Sequence, residues 1–168
     1  RRLMLLLFLC CCFPASGLAA VDVPGWQFAL IKEGSGQLEQ VRQLPDASWQ
    51  GASASHAVNL GLRQGSLWLR ARVTAERPGL HVLELKNPQH DRVRLYVLRP
   101  DQAPELLRGG FRERFPSRLA DGLHNQRFDF QLDYPGQTAE LYLQVESARP
   151  LFVWPHVNRR GALGLVRI

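Results

Sequence analysis

The sequence predicts an all-β sandwich. Three observations carry the prediction: short stretches whose apolar residues recur at every second position, Pro- and Gly-bearing turn sequences between them, and no convincing amphipathic helical pattern. Alternation of this kind puts one set of side chains into a core and the other outside it, because successive Cβ atoms of a strand point to opposite faces.

The first segment stands apart. Arg1 and Arg2 precede the apolar run LMLLLFLCCCF and then the small-residue stretch PASGLAA. That order predicts a secretory signal peptide over residues 1–20, cut near Ala19 or Ala20, with an apolar run too short to span a bilayer comfortably. Cys10, Cys11 and Cys12 all lie inside the run, and Leu9 before Cys10 is too large for a lipid-attachment signal. Once the signal is removed no cysteine remains, which excludes disulfides and thiolate metal sites.

Trp26–Lys32 is the first expected strand, ending at the turn sequence EGSGQ. Leu38–Leu44, LEQVRQL, reads equally as a short helix or an extended segment, and PDASWQGASASHA after it has the composition of a loop. Leu67–Thr74 sets Leu67, Leu69, Ala71 and Val73 on one face against Trp68, Arg70 and Arg72 on the other. After the RPG turn, Leu80–Lys86 returns; NPQH then turns the chain into Asp91–Leu98, DRVRLYVL, which ends at the turn RPDQ. Arg127–Asp133 buries Phe128, Phe130 and Leu132, and YPGQ leads into Ala139–Val145 with Ala139, Leu141, Leu143 and Val145 inward. Leu151–Val157 is the last strand, with Pro155 marking an edge or a bend. The predicted sandwich domain therefore runs over residues 21–157. The tail, 158–168, reads either as a frayed end or as the foot of a membrane helix lying beyond this chain.

The formal charge of +6, almost all of the positive side being arginine, falls by two with Arg1 and Arg2. A modest basic balance favours anionic polymers or membrane surfaces and, with export, argues against nucleic acid. No phosphate-binding glycine loop, zinc-protease histidine pair or glycine-flanked nucleophilic serine occurs. His90 beside Asp91 has the composition of a base with its orienting carboxylate, but neighbours on a strand point to opposite faces, so a turn histidine is the expectation. A glycoside hydrolase needs two carboxylates across a cleft, and nothing pairs them in the sequence. The chain is therefore expected not to be an enzyme.

Two sets of residues are candidates for binding. Trp68, Arg70, Arg94 and Tyr96, with Trp154, fall opposite the apolar stripes; aromatic rings stack on the C–H faces of sugars, and the arginine fork suits hydroxyls and anionic sugars. The competing reading buries Trp68 or Tyr96 beneath a loop and leaves the arginines solvated. Calcium needs several converging oxygens, for which Asp91, Asp101 and Asp129, near strand ends, are the first carboxylates to consider.

The succession NLGLRQGSLWLRARV, LHVLELKNPQHDRVRLYVL, GGFRERFP, FDFQL and AELYLQVES resembles the second type of extracellular sensory domain of bacterial seven-transmembrane receptors with diverse intracellular signalling modules. The resemblance covers about Gly34 to Val157. It implies a jelly-roll sandwich like carbohydrate-binding modules, placed in the periplasm ahead of seven membrane helices and a cytoplasmic histidine kinase or diguanylate cyclase. It also implies a carbohydrate-like ligand; jelly-roll relatives frequently hold calcium, and no other cofactor is indicated. The sequence departs from the family pattern at Gln144, where a late strand commonly carries arginine. The alternative is a domain that dimerises the receptor or docks another receptor's sensory domain with no small ligand.

Overall fold

A computed structural model of the chain describes residues 25–31, 36–52, 58–61, 65–86, 90–112 and 126–159. The expected signal peptide and the part of the tail beyond Arg159 lie outside the described residues. In order come β1 (Gln27–Ile31), helix α1 (Leu38–Arg42), a 3₁₀ turn (Asp46–Ser48), β2 (Gln50–Gly51), β3 (Val58–Gly61) and β4 (Ser66–Thr74). Then follow β5 (Gly79–Leu85), β6 (Arg92–Leu98), β7 (Glu105–Gly109), β8 (Gln126–Leu132), β9 (Thr138–Glu146), β10 (Leu151–Val153) and β11 (Pro155–Arg159).

The larger sheet has six strands in the order β2-β1-β4-β9-β6-β7, and the second layer consists of β10-β3 and β11-β5-β8. All pairs are antiparallel. The chain crosses between layers from β2 to β3, β3 to β4, β4 to β5, β5 to β6, β7 to β8, β8 to β9 and β9 to β10, the weave of a jelly-roll sandwich. β10 and β11 are one stretch of sequence interrupted at Trp154, and Pro155 opens β11 on the edge of its sheet, where no ladder donor is missed.

Alternation places the core as expected. Leu67, Leu69 and Val73 of β4, Val93, Leu95 and Val97 of β6 and Leu141, Leu143 and Val145 of β9 face Leu83, Leu85, Phe128, Phe130 and Leu132 of the other layer in one buried cluster. Full burial of such side chains contributes roughly 1.5–3 kcal/mol each relative to exposure. The turn after β6 is closed by Gln102 N–H donating to the Arg99 carbonyl at 3.4 Å, with Asp101 at φ 58°. Aspartate tolerates that left-handed conformation better than most residues.

A second, smaller cluster decides what the outer face of the large sheet is for. Leu38 and Val41, three apart on α1, pack with Trp49 onto Ala29, Trp68 and Tyr142. The segment that read equally as helix or strand is thus a helix, its start tied by the Gln37 N–H donating to the Gln40 side chain at 3.3 Å. It covers one end of the polar-looking face and leaves the other open.

Candidate functional site

Four of the five expected ligand residues lie on the outer face of the large sheet, in two neighbouring rows. One row across the strands is Gln27, Arg70, Tyr142 and Tyr96; the next is Ala29, Trp68, Gln144 and Arg94. Outer-face exposure rises steadily along β4, from fully buried Trp68 through half-buried Arg70 to exposed Arg72. The gradient marks where the α1 cover ends, and a cavity of about 430 Å³ opens there. It is lined by Gln27, Asp46, Arg70, Arg72, Glu140 and Tyr142, together with Gly25 and Ala71.

Arg70 is the most constrained group in this cavity. Its Nε donates to Gln27 Oε1 at 2.7 Å, its Nη2 to Asp46 Oδ1 at 2.6 Å, and its guanidinium lies 4.5 Å over the Trp49 ring. Trp49 in turn meets Tyr142 edge-on, with ring centroids 6.3 Å apart. Beside them Arg72 Nη2 donates to Glu140 Oε1 at 3.0 Å, as the β4–β9 register requires. Burial raises the pKa of the Tyr142 phenol, and the Glu140 carboxylate adds to the effect. The phenol therefore remains a neutral donor and acceptor at physiological pH. Two arginine–carboxylate pairs around an aromatic floor present planar donors and acceptors next to an apolar ring, the surface chemistry a polyhydroxylated ring requires.

Trp68 does not serve as a stacking platform. It is fully buried, stacked on Tyr96 with centroids 5.8 Å apart and covered by α1, so no ring face is open to a ligand. This corrects the expectation for Trp68 and realises the burial half of the competing reading, with helix α1 rather than a loop as the cover, while Arg70 and Arg94 are hydrogen-bonded rather than merely solvated. Tyr96 is half-buried against the same cluster, and burial raises its pKa despite the nearby Arg94. Arg94 faces away from the cavity row: its Nη1 donates to Gln144 Oε1 at 3.2 Å and approaches Glu146 Oε1 at 3.8 Å. Gln144, the departure from the family pattern, is buried, and its amide donates to Glu146 at 3.2 Å and to Ser66 Oγ at 3.4 Å. A neutral amide there bridges three strands. Trp154 belongs to the other layer, where Lys86 Nζ lies 4.5 Å over its ring.

The three carboxylates considered for calcium are not brought together. Asp91 and Asp101 flank opposite ends of β6, roughly 20 Å or more apart at the rise of a strand, and Asp129 lies on β8 in the other layer. Asp91 instead accepts the Ala148 N–H at 2.7 Å and approaches Arg112 Nε at 3.8 Å, fixing a strand end. Among the described residues no three His, Cys, Asp or Glu side chains group as metal ligands would. His90, 1% exposed, is as inaccessible as a turn residue can be and is no general base.

The sequence reading missed Trp49, Asp46 and Glu140 as parts of the site. Trp49 and Asp46 lie in a stretch whose composition is that of a loop; a lone tryptophan in such a polar stretch was the available signal.

The family model described as 7TMR-DISM extracellular 2 matches residues 24–158. No curated protein matches the chain. Among solved structures, the chain is similar to TmCBM61 in complex with beta-1,4-galactotriose, at 12% identity and TM-score 0.41, covering 85% of this chain and 90% of that one. It is also similar to part of the GH31 alpha-xylosidase from Xanthomonas citri, at 11% identity and TM-score 0.38, covering 84% of this chain and 14% of that one.

Proposed function

Because the chain belongs to the 7TMR-DISM extracellular 2 family, exported periplasmic domains of membrane receptors, we propose that it is a non-catalytic ligand-sensing module whose ligand is carbohydrate-like. One observation carries the reading: the cavity at the edge of the α1 cover, where Arg70, Arg72, Asp46 and Glu140 surround Tyr142. The two carboxylates in it do not favour hydrolysis. A glycosidase acid needs a carboxyl sheltered from solvent and cations, whereas Asp46 and Glu140 each contact an arginine, at 2.6 Å and 3.0 Å, and Asp46 is exposed and Glu140 partly so.

In the receptor the ligand favours one arrangement of the membrane region and its kinase or cyclase output over another, and can do so only by as much as it binds the two arrangements differently. Titration of the purified chain with neutral and acidic oligosaccharides, followed calorimetrically, tests the reading. Arg70→Ala is expected to weaken binding by roughly tenfold or more, the usual cost of removing a charged hydrogen-bond partner. Arg127→Ala, the same charge change in the other layer, leaves it unaltered. Equal effects of the two substitutions would remove the cavity from consideration.

A second reading is supported by β7, an edge strand of the large sheet that carries exposed Leu106, followed by Phe111 at 65% exposure. Under it the sheet edge pairs with a second sensory domain, and Leu106→Glu dissociates the dimer in sedimentation experiments. A chain that is monomeric at high concentration eliminates this reading.

A further inference from the structure

We propose that Asp46 occupies, in the free domain, the position of a ligand carboxylate, so that the cavity selects saccharides bearing a carboxylate, with uronic-acid units as the class. The inference rests on the reading of the Arg70 cavity as the ligand site. Arg70 is positioned without Asp46: Gln27 on β1 holds its Nε at 2.7 Å, and Trp49 supports the guanidinium face from 4.5 Å. Only Nη2 reaches across to the cover, where it meets Asp46 Oδ1 at 2.6 Å.

The partners differ sharply in environment. The Arg70 side chain is 22% exposed and the Asp46 side chain 91% exposed. A fixed, half-buried arginine is therefore paired with a carboxylate that projects almost entirely into water. An ion pair with one solvated partner is weak and readily exchanged. The 3₁₀ turn that carries Asp46 does not depend on that contact, because Ser48 N–H donates to the Pro45 carbonyl at 2.9 Å and Trp49 N–H to the Asp46 carbonyl at 3.0 Å. The carboxylate can leave Arg70 while its backbone stays in place.

What replaces it must be an anion of the same shape. A sugar hydroxyl in place of Asp46 would exchange an ion pair for a hydrogen bond to an uncharged acceptor and leave the half-buried guanidinium without a counter-charge on Nη2, whereas a uronate restores the planar ion pairing. Arg72 and Glu140, paired at 3.0 Å on the adjoining row, then present donor and acceptor edges to the ring hydroxyls. Neutral sugars enter with Asp46 still on Arg70 and find a smaller site.

Calorimetric titration of the purified chain with α-1,4-trigalacturonate and with α-1,4-galactotriose, in which each carboxyl is replaced by a hydroxymethyl group, tests this. The acidic trimer is expected to bind more tightly. Asp46→Asn should tighten it further by roughly two- to fivefold, the range for an exposed ion pair, with no change for the neutral trimer. Glu39→Gln, the same charge change on the cover away from Arg70, should alter neither. Preference for the neutral trimer, or no gain from Asp46→Asn beyond that of Glu39→Gln, overturns the inference while leaving the cavity reading intact if Arg70→Lys still weakens binding. Binding of neither trimer, or binding indifferent to Arg70→Lys, overturns both.

Discussion

His81 and His90 are buried in the sandwich, and desolvation lowers the pKa of each below the ordinary 6.5. For His81 the Gly79 carbonyl, 3.0 Å from Nδ1, opposes the shift and the nearby Arg159 charge adds to it; for His90 the backbone of Phe152 and the Asp91 carboxylate oppose it. The unfolded chain therefore binds protons at higher pH than the folded one. Stability from these groups is complete above pH 6.5 and is lost as pH falls below it toward the folded values. The urea midpoint should decline between pH 7.5 and pH 5, and His81→Asn and His90→Gln should each flatten part of the decline. A decline of unchanged slope in both variants would place its origin elsewhere. Trp68 gives a second test at this scale. Fully buried and stacked on Tyr96, it should cost about 3–5 kcal/mol on Trp68→Ala, measured by denaturant unfolding. A loss under about 1 kcal/mol would contradict its role as a packing residue.

Among the elements, legibility followed length and pattern. β4, β6, β8 and β9 each alternate over seven or nine residues and were readable to within a residue or so. β2 has two residues, too few for any period, and β7 carries Leu106 exposed beside Leu107 packed on the core, so adjacent leucines erase its alternation. α1 has five residues, and two apolar side chains, Leu38 and Val41, are too few to establish a period, so packing onto Trp68 decides between helix and strand. Leu38→Ala should therefore cost stability and shift tryptophan emission to the red as Trp49 and Trp68 gain water; emission at unchanged wavelength would mean that α1 is not the cover. The end of the β6–β7 pair yields a sharper expectation. Gly110 has φ +109°, and a Cβ there would lie 2.6 Å from the Asp91 carbonyl oxygen, a backbone atom that cannot swing aside. The adjacent Phe111 and Arg112 N–H groups donate to the carbonyls of His90 and Asp91 at 3.0 Å and 2.9 Å. Gly110→Ala should destabilise the domain by more than about 1 kcal/mol, since it combines a strained backbone with a clash.

At the scale of the whole molecule, the sandwich has one large core between its layers and one small cluster outside the larger sheet, and the binding question turns on the second. The first was legible because two-sided alternation is a local property. The second was not, because the cover comes from residues 38–49 folding back on strands that follow them, and no pattern within β4 or β6 reports that return. The same division predicts how the molecule opens. β4 and β9 occupy the middle of the six-stranded sheet, bonded on both sides, whereas α1 and the segment up to Trp49 are held on the sheet by the small cluster. Local opening free energy follows buried apolar contact, so the amides of Leu69, Ala71, Leu141 and Leu143 should exchange only through global unfolding. Those of Val41, Ser48 and Trp49 should exchange faster through detachment of the cover, at a rate that rises in Leu38→Ala while the central strands keep the global limit. Native-state hydrogen exchange in low denaturant separates the two classes by their dependence on denaturant. If the cover and the central strands merge onto one isotherm, the cover is an integral part of the fold and does not open as a separate unit.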